Sequence, residues 1–443
     1  MANQAASGGL PQEVRRNILH AIVDQRNLRW SVLASVSKEW QSVIGTRNMA
    51  KLNLRPSCLE DFEQAVVRQR DLVRHIYLNV DLPEYSCRAC KKINISQKND
   101  RLMAKTVQKL LIILSTWKTT NNLALELNAS SASDSKHWFK NFCFNDEHDA
   151  PYARDPVIPM EAMHRDWHDP KHGWENGVRT QPPPFIANDQ LFRSIDLLHY
   201  IPGFNLEDIP KVNAVTRFMI RRQFRHRFRL GGFAHVLSKF SRLTDFVYEP
   251  WPGEYRFDYE FPSLGINFSC DTKNLAQRSL RLNELAVSFF FDAVKFFEVC
   301  EEDWTWDHLE SLSLTSNLLF RNMQCIGNLL IAAAKLVLRM PNLTTMVLWN
   351  GRAGKACAFM YTRAEHYAHI TWRGTWDLEI SRQVVEAWED VAKFHSVELR
   401  LRHERFHETI RSHGDAIFHL NLPCQVIEPT SLWQIRVEDA QGL

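Results

Sequence analysis

Two short stretches hold the residues best suited to binding a metal. Cys87 and Cys90 form a C-x-x-C in "YSCRACKK", and His164 and His168 stand four apart in "HRDWHDPKHGW". Two thiols at this spacing can chelate zinc or exchange as a dithiol. Zinc needs a second pair of ligands, and the nearest companions, His137, Cys143 and His148, come at no recognised spacing. A redox role needs a thioredoxin-like strand and helix around the cysteines, which the surrounding sequence does not offer. His164 and His168 would share one face of a helix, but Pro170 breaks such a helix before His172. Both stretches therefore read as polar loops, and neither a metal nor a cofactor is expected. The "HRD" does not make a kinase site: Lys171 stands where the metal-binding Asn belongs, and no glycine-rich loop precedes it.

A third stretch, "RRQFRHRFRLGG", concentrates Arg221, Arg222, Arg225, Arg227 and Arg229 around Phe224 and Phe228. Guanidinium groups hold phosphates and carboxylates bidentately, so this run is a candidate contact for an anion or a phosphopeptide. With its aromatics it could also track a nucleic-acid backbone while stacking bases. The plainer reading turns the Phe side chains inward and the Arg side chains toward water or the chain's own acids. No Ser-His-Asp order, P-loop or dinucleotide fingerprint accompanies it. Paired acids such as those in "CEEDW" are ordinary on a solvated helix end. No catalytic residue is expected, and the chain is not read as an enzyme.

The elements that must position these residues form two regions. At the start, Val14, Ile18 and Ile22 recur every four residues, with Leu19 and Val23 beside them, which predicts an amphipathic helix after Leu10-Pro11. Val32, Leu33, Val36, Trp40, Val43 and Ile44 predict a second. The unit, residues 8–47, is too small to bury both stripes alone and must pack on its own chain or on a partner.

From Met49 onward the pattern apolar-x-x-apolar-x-apolar returns nine times, from Met49-Leu52-Leu54 to Phe394-Val397-Leu399. Most intervals run from about 24 to 39 residues, and several hold a helical stretch such as "RLMAKTVQKLLIILSTW" or "ISRQVVEAWEDVAKF". Strand, helix, strand at this spacing predicts an α/β architecture: an irregular leucine-rich-repeat-like solenoid over residues 48–443. From about Asn128 to Tyr200 the rhythm stops in a Ser-, Asp-, His- and Pro-rich segment, read as a loop-rich surface insertion.

Composition narrows the classes. The chain has 443 residues, 45% hydrophobic and 24% charged, with a formal charge of +3. That balance gives no global pull toward nucleic acid or an anionic membrane. Its most apolar run, "IGNLLIAAAKLVL", is too short to span a bilayer. Nine cysteines are scattered without a framework, and "MANQAASGG" lacks a signal peptide's apolar core, so a cytoplasmic or nuclear protein with reduced thiols is expected.

"LPQEVRRNILHAIV…LASVSKEWQSVI" resembles the F-box, the helical module that docks onto the Skp-type adaptor of a cullin–RING ubiquitin ligase. The resemblance implies Leu10, Pro11, Val14, Ile18, Leu19 and Ile22 as docking residues, with Val36 and Trp40 bracing the module. "FMIRRQ" (Phe218 to Gln223) and "SRLTDFVYEPWPG" (Ser241 to Gly253) are similar to F-box-headed proteins of filamentous fungi whose large C-terminal domain has no assigned function. Together these imply a substrate adaptor, with a Skp-type adaptor and cullin ligase at one end and an unknown protein substrate at the other. The alternative is a binding scaffold that uses its helical head internally; membrane and nucleic-acid partners are not expected. A docking module should leave Leu10, Ile18 and Leu19 exposed as an apolar patch, whereas packing of the three against the chain's own body would make docking unavailable.

Overall fold

The computed structural model describes residues 10–24, 30–92, 97–118, 122–144, 166–198, 209–249 and 268–442. Its frame is an open sheet of eleven strands, each lying beside its neighbour in sequence. These are β1 (Lys51–Leu54), β2 (His75–Leu82), β3 (Leu123–Ser131), β4 (Val215–Ile220), β5 (Asp245–Tyr248), β6 (Glu284–Val287), β7 (Ser311–Thr315), β8 (Thr345–Arg352), β9 (Lys355–Arg363), β10 (Tyr367–Gly374) and β11 (Glu398–Arg405). Pairing is parallel from β1 to β8, antiparallel through β8, β9 and β10, and parallel again between β10 and β11. The fold is thus mixed α/β with a large, mostly parallel sheet and no closed barrel.

The repeated apolar triplet has a direct structural meaning. Its second residues Leu52, Ile76, Phe218, Phe246, Leu285, Leu312 and Met346, with Leu125 of β3 at the same register, stand opposite one another across eight strands. Side chains alternate between the faces of a strand, so this ladder and the one two residues on belong to a single face. Helices α3 (Leu59–Ala65), α4 (Lys98–Ser115), α6 (Leu230–Leu237), α7 (Phe268–Ser279), α8 (Ala293–Val299), α9 (Met323–Val337) and α10 (Arg382–Phe394) add their apolar stripes to the same core. Leu59, Met103, Phe233, Phe296, Leu329 and Trp388 from these helices are all buried there. The strand connections therefore cross one face of the sheet.

The opposite face is covered differently. Val347 and Trp349 on β8, and Ala356, Ala358 and Met360 on β9, point away from the main core. They pack on Ala416, Ile417 and Leu420 of α11 (His413–Leu420) and on Ile435 of α12 (Pro429–Gly442). Residues 406–442 continue across the sheet through polar ties. Arg217 Nη2 donates to Glu428 at 3.0 Å, Glu428 N to Glu249 at 2.6 Å, and Gln223 donates to Gln434. This C-terminal strap was not anticipated from the sequence.

Two expectations need adjusting. The insertion was placed from about residue 128, but residues 128–131 belong to β3, so the chain leaves the sheet only after Ser131. The excursion is also more than loop: it holds α5 (Phe185–Leu191), a short hairpin pairing Trp174–Glu175 with Val178–Arg179, and a parallel bridge from Ser194–Ile195 to Arg227–Phe228.

Candidate functional site

The opening residues form two helices. In α1 (Gln12–Asp24) the first turn is closed by Arg15 N donating to Pro11 O at 3.1 Å. In α2 (Lys38–Ala50) the Ser37 hydroxyl caps the N-terminus by accepting from Trp40 N, satisfying an otherwise orphaned amide. Leu19 packs with Val43 and Ile44 of α2, supported by Leu33, Ala34 and Trp40. β1 follows α2 without a break, so the helical unit runs directly into the sheet.

That packing divides the expected docking residues. Leu10 is 51% exposed, Val14 41% and Ile18 43%, a stripe at helical spacing turned to solvent. Pro11 is exposed and Ile22 half-buried. Leu19 is not on that face; it holds α1 to α2. Val36 does not brace the module either, since it is 64% exposed, whereas Trp40 does pack inside it.

The arginine run was a candidate anion contact, and three of its members are unavailable for one. Arg221, Arg222 and Arg225 are buried, and so are Phe224 and Phe228. Arg221 bonds Glu126 at 2.5 Å, Arg225 pairs with Glu438, and Arg222 Nη2 lies 3.2 Å from His413 Nε2. Arg227 is half-buried, and Arg229 is exposed beside Asp196 at 3.4 Å. Burial depresses Arg222 to about 10 and lifts Glu249, which also faces the Glu428 carboxylate, to about 7. Arg222, Arg225 and Glu249 join the strap to the sheet, while Arg221 ties the end of β4 to β3. The general signal for this was already present: buried arginine needs acids, and the chain has nearly as many acids as bases.

The two stretches read as polar loops meet in one cluster, the first giving Cys87 and Cys90, the second His172, with His137 as the fourth member. Cys87 and Cys90 lie in the loop after β2, His137 follows the 3-10 turn after β3, and His172 ends the turn Pro170–His172 of the excursion. One ligand atom from each comes within 4.8 Å of the others. Cys87 Sγ is 3.3 Å and Cys90 Sγ 3.5 Å from His172 Nε2. His172 Nδ1 lies 2.7 Å from Asp169 Oδ2, and Lys140 Nζ holds that carboxylate at 3.1 Å. Gly173 takes φ +70°, and a Cβ there would come within 2.4 Å of Gln181 O, so the sharp exit after His172 requires glycine. The expected partner of His168, His164, lies outside the described residues, as does His148; His168 is exposed and Cys143 stands outside the cluster. The C-x-x-C was a sound signal. Pairing it with His137 and His172 needed the adjacency of β2 and β3, which spacing does not encode.

A cleft of about 380 Å³ between α8 and α9 is lined by Val294, Phe297, Leu318, Leu329 and Leu336, with Glu298, Asn328, Lys335 and Arg339 also on its wall. Among the described residues no helix is long and apolar enough to cross a membrane. Residues 239–428 match the model of a family of unknown function (DUF6546). The match runs from just before β5 to just before α12, leaving out the two opening helices and the cysteine–histidine cluster. It agrees with the expected domain of unassigned function and brings no activity with it. No curated protein matches the chain.

Proposed function

We propose that this chain is the substrate-recognition adaptor of a cullin–RING ubiquitin ligase, docking a Skp-type adaptor through α1 and a protein substrate through its large body. The observation that carries the reading is the outward stripe of Leu10, Val14 and Ile18. An apolar stripe left in water by a helix that already has its own packing partner marks a contact surface. The F-box resemblance supplies the class of partner, and the one-sided strand–helix order is read as an irregular leucine-rich-repeat-like platform. The mechanism is proximity. Two binding surfaces on one chain raise the effective concentration of a substrate lysine at the ligase, and the chain needs no catalytic residue of its own. The strap occupies the second face of the middle strands, so the substrate surface is sought elsewhere, first at the outer strand β11, most of whose residues are exposed.

Co-purification of the full chain with a Skp-type adaptor tests this. Val14→Asp with Ile18→Asp is the informative variant, because both side chains are exposed and the α1–α2 packing through Leu19 stays intact. Losing two central apolar contacts should weaken the complex by about 100-fold or more. If the intact chain forms no complex, the helices serve the chain internally and the scaffold alternative takes over.

A further inference from the structure

We infer that Cys87, Cys90, His137 and His172 form a structural zinc site that fastens the excursion between β3 and β4 to the sheet. The donor set is two thiol sulfurs and two imidazole nitrogens, the soft and borderline ligands that select zinc over magnesium or calcium. With zinc–sulfur bonds near 2.3 Å and zinc–nitrogen bonds near 2.0 Å, a tetrahedron sets sulfur and nitrogen about 3.5 Å apart. The sulfurs of Cys87 and Cys90 stand 3.3 and 3.5 Å from His172 Nε2. All four ligand atoms lie within 4.8 Å of one another. Cys90, His137 and His172 are buried, so the ion would be shielded from water on most sides.

The surroundings prepare both imidazoles. Asp169 accepts from His172 Nδ1, which leaves Nε2 with its lone pair directed at the sulfurs, the carboxylate–histidine arrangement that orients zinc ligands. Lys140 in turn fixes Asp169. The His137 ring bonds the backbone of Tyr85, while its Nδ1 is buried with no hydrogen-bond partner among the described residues. Such an atom is costly unless something else occupies it. On binding, the thiols of Cys87 and Cys90 lose their protons to solvent and two sulfur–zinc bonds form, so two thiolates neutralise the dication. Four protein ligands close the coordination sphere, which makes the site structural rather than catalytic.

The site has a defined mechanical place. Its ligands come from the loop after β2, the turn after β3 and the far side of the excursion, next to Trp138, Phe139, Ala187 and Leu191. One ion would tie all three segments together.

Zinc content of the full chain, purified without added metal and measured by elemental mass spectrometry, should be about one per chain. In Cys87→Ser and in His172→Ala it should fall at least tenfold, whereas His168→Ala, which changes an exposed residue outside the cluster, should keep it. If a ligand variant fails to fold, the intact chain decides: stripped of metal and titrated with Co²⁺, it should develop the intense visible absorption of tetrahedral sulfur–nitrogen coordination at one equivalent. A folded chain with neither zinc nor that absorption overturns the site. Full zinc content in folded Cys87→Ser and His172→Ala does the same.

Discussion

Two small hydrophobic clusters lie outside the main core, and they differ in how each is finished. Around the cysteine–histidine site, Cys90, Trp138, Phe139, Phe144, Ala187, Leu191 and Phe192 bury one another. Around α1, Leu19, Val43 and Ile44 are the residues buried in the cluster among those described, Leu33, Ala34 and Trp40 are partly buried against them, and Leu10, Val14 and Ile18 face water. Neither cluster is large enough to hold its segment by area alone. The first is closed from within, by aromatic packing and by four ligands aimed at one point. The second is left open on one side. A closed satellite stabilises the chain that contains it; an open one leaves apolar surface in water, which is what the proposed docking would cover.

Removal of the metal should separate the two most sharply. Chelation is expected to speed hydrogen exchange across residues 137–144 and 169–192 by about 100-fold or more, because a structural zinc contributes many kcal/mol to the order of its ligands. The helices α1 and α2 should hardly respond, and an equal response in both clusters would break the comparison. Next in size, Trp138→Ala should cost about 3–5 kcal/mol in urea denaturation, and Leu19→Ala about 2–4, since each empties a buried site.

Acid should loosen the attachment of the excursion, beside the closed cluster. His226 is buried where the excursion is sewn to β4, next to the bond from Arg227 N to Arg193 O. Burial depresses it to about 4 from an ordinary 6.5. A depressed value means that the unfolded chain takes up the proton first. The contribution is therefore present above pH 6.5 and is lost as pH falls toward 4. At pH 5 the loss is roughly 2 kcal/mol, and a His226→Gln chain should show a correspondingly flatter stability between pH 7 and pH 5. Smallest of all, Val14→Asp with Ile18→Asp should leave the unfolding free energy within about 0.5 kcal/mol while it removes the partner. A large stability loss there would mean that the open face is covered by this chain after all.

The sheet was largely legible because a period-two pattern facing a helical layer must repeat at each strand. Nine triplets mark nine of the strands. β3 escaped because Asn122 stands where the first apolar residue of the triplet belongs, although Leu125 and Leu127 keep the register. β9 escaped for a different reason. Cys357, Phe359 and Tyr361 enter the main core while Ala356, Ala358 and Met360 enter the second, so both its faces are apolar and alternation vanishes. Long-range chemistry was legible only in fragments. The C-x-x-C could be seen, but its completion depends on parallel neighbours and on a returning excursion, and neither leaves a mark in local spacing. The arginine run was visible as charge, but its acids, Glu126 and Glu438, lie far away in sequence on either side.

The C-terminal strap also imposes an order of events during synthesis. Arg217 and Glu428 meet across 211 residues of chain. The strap leaves the ribosome after every strand it covers, so its contacts are the last to form. Until then Met219, Val247 and Ala286, together with Val347 and Trp349, line a sheet face with nothing upon it. The nascent protein thus passes through a period in which a nearly finished sheet presents an adhesive surface. Prompt arrival of residues 406–442 shortens the interval in which that apolar face favours self-association.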